Sequence, residues 1–256
     1  IGYMIFSKRI QLLYGFDFSV QVIKDGLFQV FLFFYFSQVL GLDAALTGAA
    51  TIIALLFDAV SDPLVGVISD RWKSKKWGRR HPFMLASALP LGVFTWLLFM
   101  PPAGISQAGL FWWLTIFTIL VRLSLTLFQV PGMSLGAELS KDYEERTSIT
   151  SYRIMFGTLF STITIMAGFI FFFAPTEEYT RGLMNPLDYP KYAFFCAMLI
   201  VGTILISTIG TKETIPTLPN SSMDKQKFNF QSFIVDLKVM FGMRSYATLI
   251  LYTMII

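Results

Sequence analysis

Two aspartates, Asp58 and Asp62, stand four residues apart in a strongly apolar stretch of the chain. At that spacing both carboxylates project from one face of a helix. Two neighbouring carboxylates in a low-dielectric environment cannot both remain ionised and unpaired, so a proton, a bound cation or a basic side chain must neutralise them. Their carboxylate oxygens would suit Na⁺ as ligands, with Gln129 or Thr126 facing them. A proton shared by the two carboxylates would instead suit coupling to H⁺.

Five further charged residues lie inside apolar stretches. Ionisable groups at membrane depth are costly and usually face a cavity, so each is a candidate functional residue. With Asp58 and Asp62 they make four acids and three bases, an excess of one negative charge that one monovalent cation would balance. The alternative is a set of buried ion pairs that fixes helix packing. The five are Asp17, Lys24, Asp25, Arg122 and Arg153.

The stretches that carry these residues are predicted to cross a membrane. Of 256 residues, 55% are hydrophobic and 14% are charged, whereas soluble domains carry roughly 25% charged residues. This composition excludes a soluble enzyme, a disordered chain and a secreted disulfide scaffold. A helix needs about 20 apolar residues to cross the bilayer core. Six stretches qualify, at 12–40, 45–68, 82–101, 110–136, 148–174 and 191–210.

The chain is predicted to divide into three parts. Residues 1–210 form a bundle of six transmembrane helices, 211–245 form a cytoplasmic loop with an amphipathic helix at the membrane surface, and 246–256 begin a seventh transmembrane helix. The chain starts at Ile1 and ends on Ile256 inside an apolar run. We therefore expect it to be a fragment of a longer protein that lacks the C-terminal half.

The distribution of Lys and Arg predicts the orientation of the spans. Fifteen of the twenty fall on one side of the predicted bundle, two fall on the other and three lie within spans. The N-terminus is therefore expected in the cytoplasm. Because topology explains the basic charge, no nucleic-acid partner is expected.

Gly66 and Asp70 continue the four-residue spacing of the two aspartates toward the end of the second stretch. A glycine lets another helix approach closely, and an aspartate near the helix end can hold basic residues of the next loop. A loop that is merely basic would explain the arginines but not this glycine and aspartate.

Four segments together resemble the glycoside–pentoside–hexuronide:cation symporters of the major facilitator superfamily. The segments are FDAVSDPLVGVISDRW (Phe57–Trp72), WGRRHPF (Trp77–Phe83), QVPGMSLGAELS (Gln129–Ser140) and DYEERTSITSYRIMFG (Asp142–Gly157). The resemblance implies an all-α, polytopic membrane protein with a major facilitator fold. Full-length members have twelve helices in two halves, with the solute between them. This chain would supply the N-terminal six-helix bundle and the start of helix seven.

The resemblance places the family's cation-site aspartates on Asp58 and Asp62 and its helix-five arginine on Arg153, and together with the charges inside the spans it leads to the following expected roles. The residues expected at the cation site are Asp58, Asp62, Gln129 and Thr126. If the cation is Na⁺, the two aspartates are expected to be its metal ligands. Expected to bind solute are Lys24, Asp25, Arg122, Met133 and Arg153. Expected in gating or a charge relay are Gly66, Asp70, Arg71, Arg79, Arg80, Glu138 and Arg146.

The sequence departs from the family at three points. Gln129 replaces an acid on helix four, and Met133 replaces an aromatic residue. The Lys–Asp pair of helix one falls on Gln21 and Val22, while Lys24 and its neighbouring aspartate stand about one turn further along. These departures put a galactoside-like solute in doubt.

No catalytic constellation, Cys/His metal spacing or phosphate-binding glycine loop occurs in the sequence, so neither an enzyme nor a cofactor is expected. His81, the only histidine, is expected to be solvated or to cap a helix beside Pro82. Glu144, Glu145 and Arg146 are expected in a loop, either as gating contacts or simply solvated.

Together these features predict a secondary active transporter that couples Na⁺ or H⁺ to a sugar- or glycoside-like solute. Animal lysolipid carriers share much of the pattern, so a lysolipid carrier is an alternative, and so is a half-transporter that serves as a structural subunit. The expected partners are a small-molecule solute, the lipid bilayer and a C-terminal half or partner chain. The expected location is a bacterial inner membrane.

Overall fold

The computed structural model describes residues 7–72, 74, 77–140 and 142–217. Within these residues six helical stretches are long and apolar enough to cross a membrane, and no β-strand occurs. The predicted all-α architecture with six spans is therefore confirmed. Spans one to six are Lys8–Val39, Ala44–Asp70, His81–Leu98, Gln107–Leu139, Tyr143–Phe172 and Asp188–Pro216.

Seven α-helices build the spans, and three of the spans also contain non-α turns. The α-helices are α1 (Lys8–Gly15), α2 (Asp17–Gly26), α3 (Ala44–Arg71), α4 (His81–Leu98), α5 (Gln107–Leu139), α6 (Tyr143–Ala167) and α7 (Asp188–Gly210). The π-helical turns are Leu27–Leu32 and Tyr35–Val39 in span one and Gly168–Phe172 in span five. The 3₁₀-helices are Gly182–Met184, before span six, and Lys212–Thr217, at its end.

Span five begins five residues before the predicted stretch because a polar cap starts the helix. The Asp142 carboxylate accepts hydrogen bonds from the backbone N–H groups of Glu144 and Glu145, at 2.9 and 3.1 Å. An aspartate cap with acids in the first turn stabilises a helix N-terminus. Glu144, Glu145 and Arg146 thus lie in the first turn of the helix, and their prediction as loop residues was wrong.

Span four lies at the centre of the packing between spans two and three. Span three also packs on span six, and span one packs on spans five and six. The apolar windows of spans two and five are only 17% and 22% buried, against 44–50% for the other four. Spans two and five therefore present broad open faces, and the candidate aspartates stand on one of them.

His81 is buried, with only 1% of its surface exposed, so its prediction as a solvated residue was wrong. Its Nε2 atom lies 3.2 Å from the hydroxyl oxygen of Thr211, at the end of span six. Just before it, Gly78 has a φ of +66°, and a Cβ there would meet Ile215 at 3.2 Å. The end of span six therefore covers the start of span three, which no local pattern could reveal.

The predicted boundary at residue 210 falls where the chain continues directly as the 3₁₀-helix Lys212–Thr217. The predicted surface helix and the start of helix seven lie outside the described residues. The division into 1–210, 211–245 and 246–256 stays a prediction.

Candidate functional site

Asp58, on α3, forms an ion pair with Arg122, on α5: the guanidinium Nη1 donates to the carboxylate Oδ2. Both side chains are less than one-fifth exposed. The second carboxylate oxygen of Asp58 is buried and has no hydrogen-bond donor within the described part of the chain. For Asp58, a basic side chain supplies the predicted neutralisation.

Asp62, one turn further along α3, has a different environment. The Thr126 hydroxyl donates to its Oδ1 at 2.7 Å. Among the described residues no base lies within ion-pair distance of Asp62. The residue is exposed on the open face of span two. Its carboxylate therefore lies within a candidate membrane span with no base paired to it in the described part of the chain.

Lys24, on span one, brings a second ion pair to the same region. Its ammonium group binds the Asp25 carboxylate and lies 5.3 Å from the centre of the Phe28 ring. It also interacts electrostatically with Asp58 and Arg122. We call Lys24, Asp25, Asp58, Asp62 and Arg122 the midspan cluster. It holds three acids and two bases, so the excess negative charge that the sequence predicted is concentrated here.

Gln129 does not hydrogen-bond to the aspartates. Its side-chain amide donates to the Gln21 oxygen at 2.9 Å, which links spans one and four. The two positions where the sequence departs from the symporter pattern on helices one and four thus bind each other. Gln21 and Gln129 thus form a neutral amide pair at positions where the resemblance predicts charged residues.

Arg153, on span five, is held by a residue of span one. Its Nε donates to Asp17 Oδ1 at 2.7 Å, and Asp17 is almost completely buried. The guanidinium carbon also lies 5.7 Å from the centre of the Tyr14 ring and 5.5 Å from that of Phe18, distances that allow cation–π attraction. Asp17 and Arg153 form a neutral pair between spans one and five.

A cavity of about 270 Å³ opens beside this pair. Three residues with predicted roles line it together: Met133, Arg146 and Arg153. None of its lining residues belongs to the midspan cluster. The candidate solute residues therefore separate into two groups, with Lys24, Asp25 and Arg122 in the midspan cluster and Met133 and Arg153 at this cavity.

Tyr14 also lines the cavity, and the sequence analysis missed it. Its hydroxyl donates to the carbonyl oxygen of Gly132 at 2.8 Å, and a Cβ on Gly136 would collide with that hydroxyl. Gly136, which has no side chain, thus leaves room in span four for the tyrosine hydroxyl. The four-residue spacing of Gly132 and Gly136 was the available signal for a close approach to span four, but it does not identify Tyr14 as the partner.

Four predicted gating residues meet at the end of the bundle where span three begins. The Glu138 carboxylate accepts from Arg79 and from Arg80, the latter at 2.6 and 3.1 Å. Arg80 also lies 3.3 Å from the carboxylate of Asp70. We call Asp70, Arg79, Arg80 and Glu138 the basic-end cluster. It ties the end of span two, the start of span three and the end of span four together.

Three other residues predicted for gating lie outside this cluster or outside the described side chains. A Cβ on Gly66 would meet Val130 at 3.6 Å, an ordinary contact between spans two and four. Arg146 donates from Nε to the Ser140 carbonyl at 2.9 Å and lines the cavity instead. The side chain of Arg71 lies outside the described part of the structure.

No group of three or more His, Cys, Asp or Glu side chains within the described ranges is arranged to hold a metal ion. The midspan cluster supplies two neighbouring carboxylates, and the Thr126 hydroxyl donates to one of them. Two carboxylates and one hydroxyl are fewer oxygen ligands than a divalent cation such as Ca²⁺ takes.

A family model described as MFS/sugar transport protein matches residues 13–255. The chain belongs to this transporter family. The match extends over nearly the whole sequence and agrees with the six apolar spans. The predicted membership of a major facilitator family of symporter-like sugar transporters is therefore confirmed.

Three relatives of this transporter family illustrate its range. The inner membrane symporter YicJ of Escherichia coli is 30% identical over 80% of this chain and 43% of its own length. The isoprimeverose transporter of Lactiplantibacillus pentosus is 29% identical over 75% of this chain and 39% of its own. The sodium-dependent lysophosphatidylcholine symporter 1-A of Danio rerio is 32% identical over 50% of this chain and 25% of its own. The chain thus spans less than half the length of these relatives.

Proposed function

We propose that this chain is part of a secondary active transporter that moves a small solute together with a cation by alternating access. The carboxylate of Asp62 carries the proposal. It stands within a predicted membrane span, is accessible on an open face, and among the described residues has no ion pair like that of Asp58. A charge in that position must be neutralised by something that can arrive and leave. The excess negative charge of the midspan cluster requires one monovalent cation.

Binding of the cation and the solute together would favour one arrangement of the transporter halves over another. The bundle described here supplies one half, and the second half would come from a C-terminal segment or a partner chain. Thr126 positions the carboxylate of Asp62, and the basic-end cluster is the gate that closes one side. With the basic side facing the cytoplasm, the protein would lie in a bacterial inner membrane with its N-terminus inside.

For the solute we propose a sugar or glycoside. The family description and the printed name of the isoprimeverose transporter support this class. Arg153 and Met133 line the candidate solute cavity. The name of the lysophosphatidylcholine symporter favours a second candidate, a lysolipid, on the same scaffold.

The test of cation coupling uses the full-length protein in proteoliposomes with an imposed cation gradient. Asp62→Asn removes the charge but keeps the shape, and we expect it to abolish accumulation of solute against its gradient. Asp188→Asn makes the same chemical change in an ion pair with the exposed Lys191, outside the midspan cluster, and serves as the matched control. Cation-driven accumulation that survives in Asp62→Asn at the control level would overturn the proposal.

The substrate arms of the experiment are labelled isoprimeverose and labelled lysophosphatidylcholine. We expect uptake of the glycoside and competition by other glycosides but not by the lysolipid. The reverse pattern assigns the lysolipid class.

A third possibility, a structural subunit, predicts an intact native polypeptide near 29.0 kDa, the mass of these 256 residues. An intact mass near twice that value supports the two-half transporter.

A further inference from the structure

The segment that follows α7 packs on the turn that leads into span three. We call residues 211–217 the strap and residues 77–81 the turn. The Lys212 ammonium group lies 4.1 Å from the centre of the Trp77 ring, and both residues are partly buried. A cation–π contact at an exposed site shifts an equilibrium about two- to fivefold, and more where water is excluded. This contact therefore favours the docked position of the strap.

Two further contacts hold the strap on the turn. The Thr211 hydroxyl donates to the Ser207 carbonyl oxygen at 2.8 Å, so its oxygen is left to accept from Nε2 of His81, 3.2 Å away. Gly78 has a φ of +66°, a conformation that favours glycine, and a Cβ there would meet Ile215 at 3.2 Å. The strap is thus bound to the turn by a charge, by a hydrogen bond and by close packing.

The turn carries the two arginines of the basic-end cluster. Arg79 and Arg80 stand between Gly78 and His81, so the strap contacts residues on both sides of them. Both guanidinium groups donate to Glu138, and this forked geometry depends on where the backbone places each arginine. A displacement of the turn would therefore draw both arginines away from one carboxylate.

The strap is also the stretch through which the chain passes from span six to residues 218–256. Under the proposed function the two halves of the transporter move against each other, and a second half in a C-terminal segment would follow this stretch. Movement of that half would act on the strap and, through it, on the turn. The cation–π contact and the hydrogen bond each shift an equilibrium about two- to tenfold. Contacts of this strength break and form again within a transport cycle.

We propose that the strap is a latch on the gate at the basic end of the bundle. Docked on the turn, it holds Arg79 and Arg80 against Glu138 and keeps the gate closed. Displaced from the turn, it lets the two arginines leave the carboxylate, and the gate opens. Trp77 and Lys212 are positioning residues of this latch. The inference rests on the proposed function, because the basic-end cluster is the gate there.

The test measures how often the gate is open, in the full-length protein in proteoliposomes without solute. Ala137→Cys places a thiol in the cavity, next to Glu138. A maleimide that cannot the membrane reaches it from the basic side only when the gate opens. Other accessible cysteines are replaced, whereas the buried Cys196 is kept as a reporter of unfolding. We expect Lys212→Gln to raise the labelling rate at position 137 about two- to fivefold and to leave Cys196 unlabelled.

Conservative variants separate the cation from the rest of the side chain. Lys212→Arg keeps a cation over the ring and should be labelled at the wild-type rate. Lys191→Gln removes the same charge at the other end of span six and is the matched control. If Lys212→Gln cannot be recovered as folded protein, Trp77→Leu removes the ring instead, with the same expected rise. The double variant should be labelled no faster than either single variant, because both remove one contact.

Glu138→Gln breaks the gate itself and separates the latch from the proposed function. If Glu138→Gln raises labelling and neither Lys212→Gln nor Trp77→Leu does, the latch is overturned and the gate stands. If Glu138→Gln also leaves labelling unchanged, the basic-end cluster is not a gate, and that part of the proposed function fails. A rise in Lys212→Gln that is accompanied by labelling of Cys196 reports unfolding and overturns the latch as well.

Discussion

The basic-end cluster and the midspan cluster both combine acidic with basic side chains, but they balance their charges differently. In the basic-end cluster, two arginines meet two acids, and the Glu138 carboxylate is bound by both arginines. In the midspan cluster, three acids meet two bases, and Asp62 has only a hydroxyl partner among the described residues. A balanced cluster has no place for a mobile ion, whereas an unbalanced one needs one. Under the proposed function, this difference separates charges that hold helices together from charges that take part in transport.

The basic-end cluster should be the most costly to break. Replacing Glu138 by alanine leaves the buried guanidinium of Arg80 with only a longer contact to Asp70. Removal of one partner from a buried ion pair costs about 3–5 kcal/mol, and we expect a loss of that size in the free energy of unfolding. Unfolding by SDS in mixed micelles, followed by circular dichroism, measures it. The exposed Glu177 offers the control, since Glu177→Ala should change the free energy of unfolding by no more than about 0.5 kcal/mol. If Glu138→Ala and Glu177→Ala lower stability equally, the basic-end cluster does not stabilise the bundle.

The Asp17–Arg153 pair should behave as a balanced unit, like the basic-end cluster but smaller. Asp17→Asn removes the charge that faces the guanidinium, and hydrogen bonds to charged groups contribute about 1.5–3 kcal/mol. We expect a loss in that range by the same unfolding assay. The double variant Asp17→Asn/Arg153→Gln should lose less than the sum of the two single variants, by about 0.5–3 kcal/mol. Strict additivity would show that the pair has no energetic coupling.

A purely steric change beside this pair should cost less than the loss of charge. A Cβ on Gly136 collides with the hydroxyl of Tyr14, so Gly136→Ala should destabilise the protein by about 1–3 kcal/mol, as overpacking does. Gly48→Ala is the matched control, since a Cβ there meets no atom within 4 Å. Alanine favours a helix over glycine by about 1 kcal/mol, so the control should be neutral or more stable. If Gly136→Ala and Gly48→Ala lower the free energy of unfolding by similar amounts, the close contact between Gly136 and Tyr14 has no specific effect on stability.

The smallest stability effect is expected at Thr126, which donates a hydrogen bond to Asp62 of the midspan cluster. Thr126→Val removes one hydrogen bond to Asp62, which we expect to cost about 1 kcal/mol. Thr126→Ser keeps the hydroxyl and should behave as the wild type. The informative measurement is cation-driven accumulation, which should fall in Thr126→Val and be retained in Thr126→Ser. A fall in both would point to packing of the threonine methyl group instead of the hydrogen bond.

Much of the fold and part of the site followed from the sequence. The six spans could be predicted because the hydropathy of about 20 residues adds up along each of them. The prediction located the spans even where it misplaced their polar ends. The shared face of Asp58 and Asp62 follows from helical spacing alone. The excess of one negative charge follows from counting the acidic and basic residues inside the predicted spans. These features depend on one helix at a time.

The features that were missed depend on how one helix is rotated against another. Gln129 was predicted to face the aspartates from span four, but the rotation of span one brings Gln21 to it. The sequence allowed buried ion pairs inside the spans, but it did not show that Arg122 pairs with Asp58. Tyr14 carries no charge, so a search for charges inside apolar stretches passed over it.

The burial of His81 gives the protein a built-in reporter. It is the single histidine in these 256 residues, and its ring lies where the start of span three meets the end of span six. Acylation of that imidazole by diethyl pyrocarbonate, or its NMR signal, reports on one junction with no competing signal from the rest of this segment. Any motion that parts span six from span three would register as a gain in reactivity of that one ring.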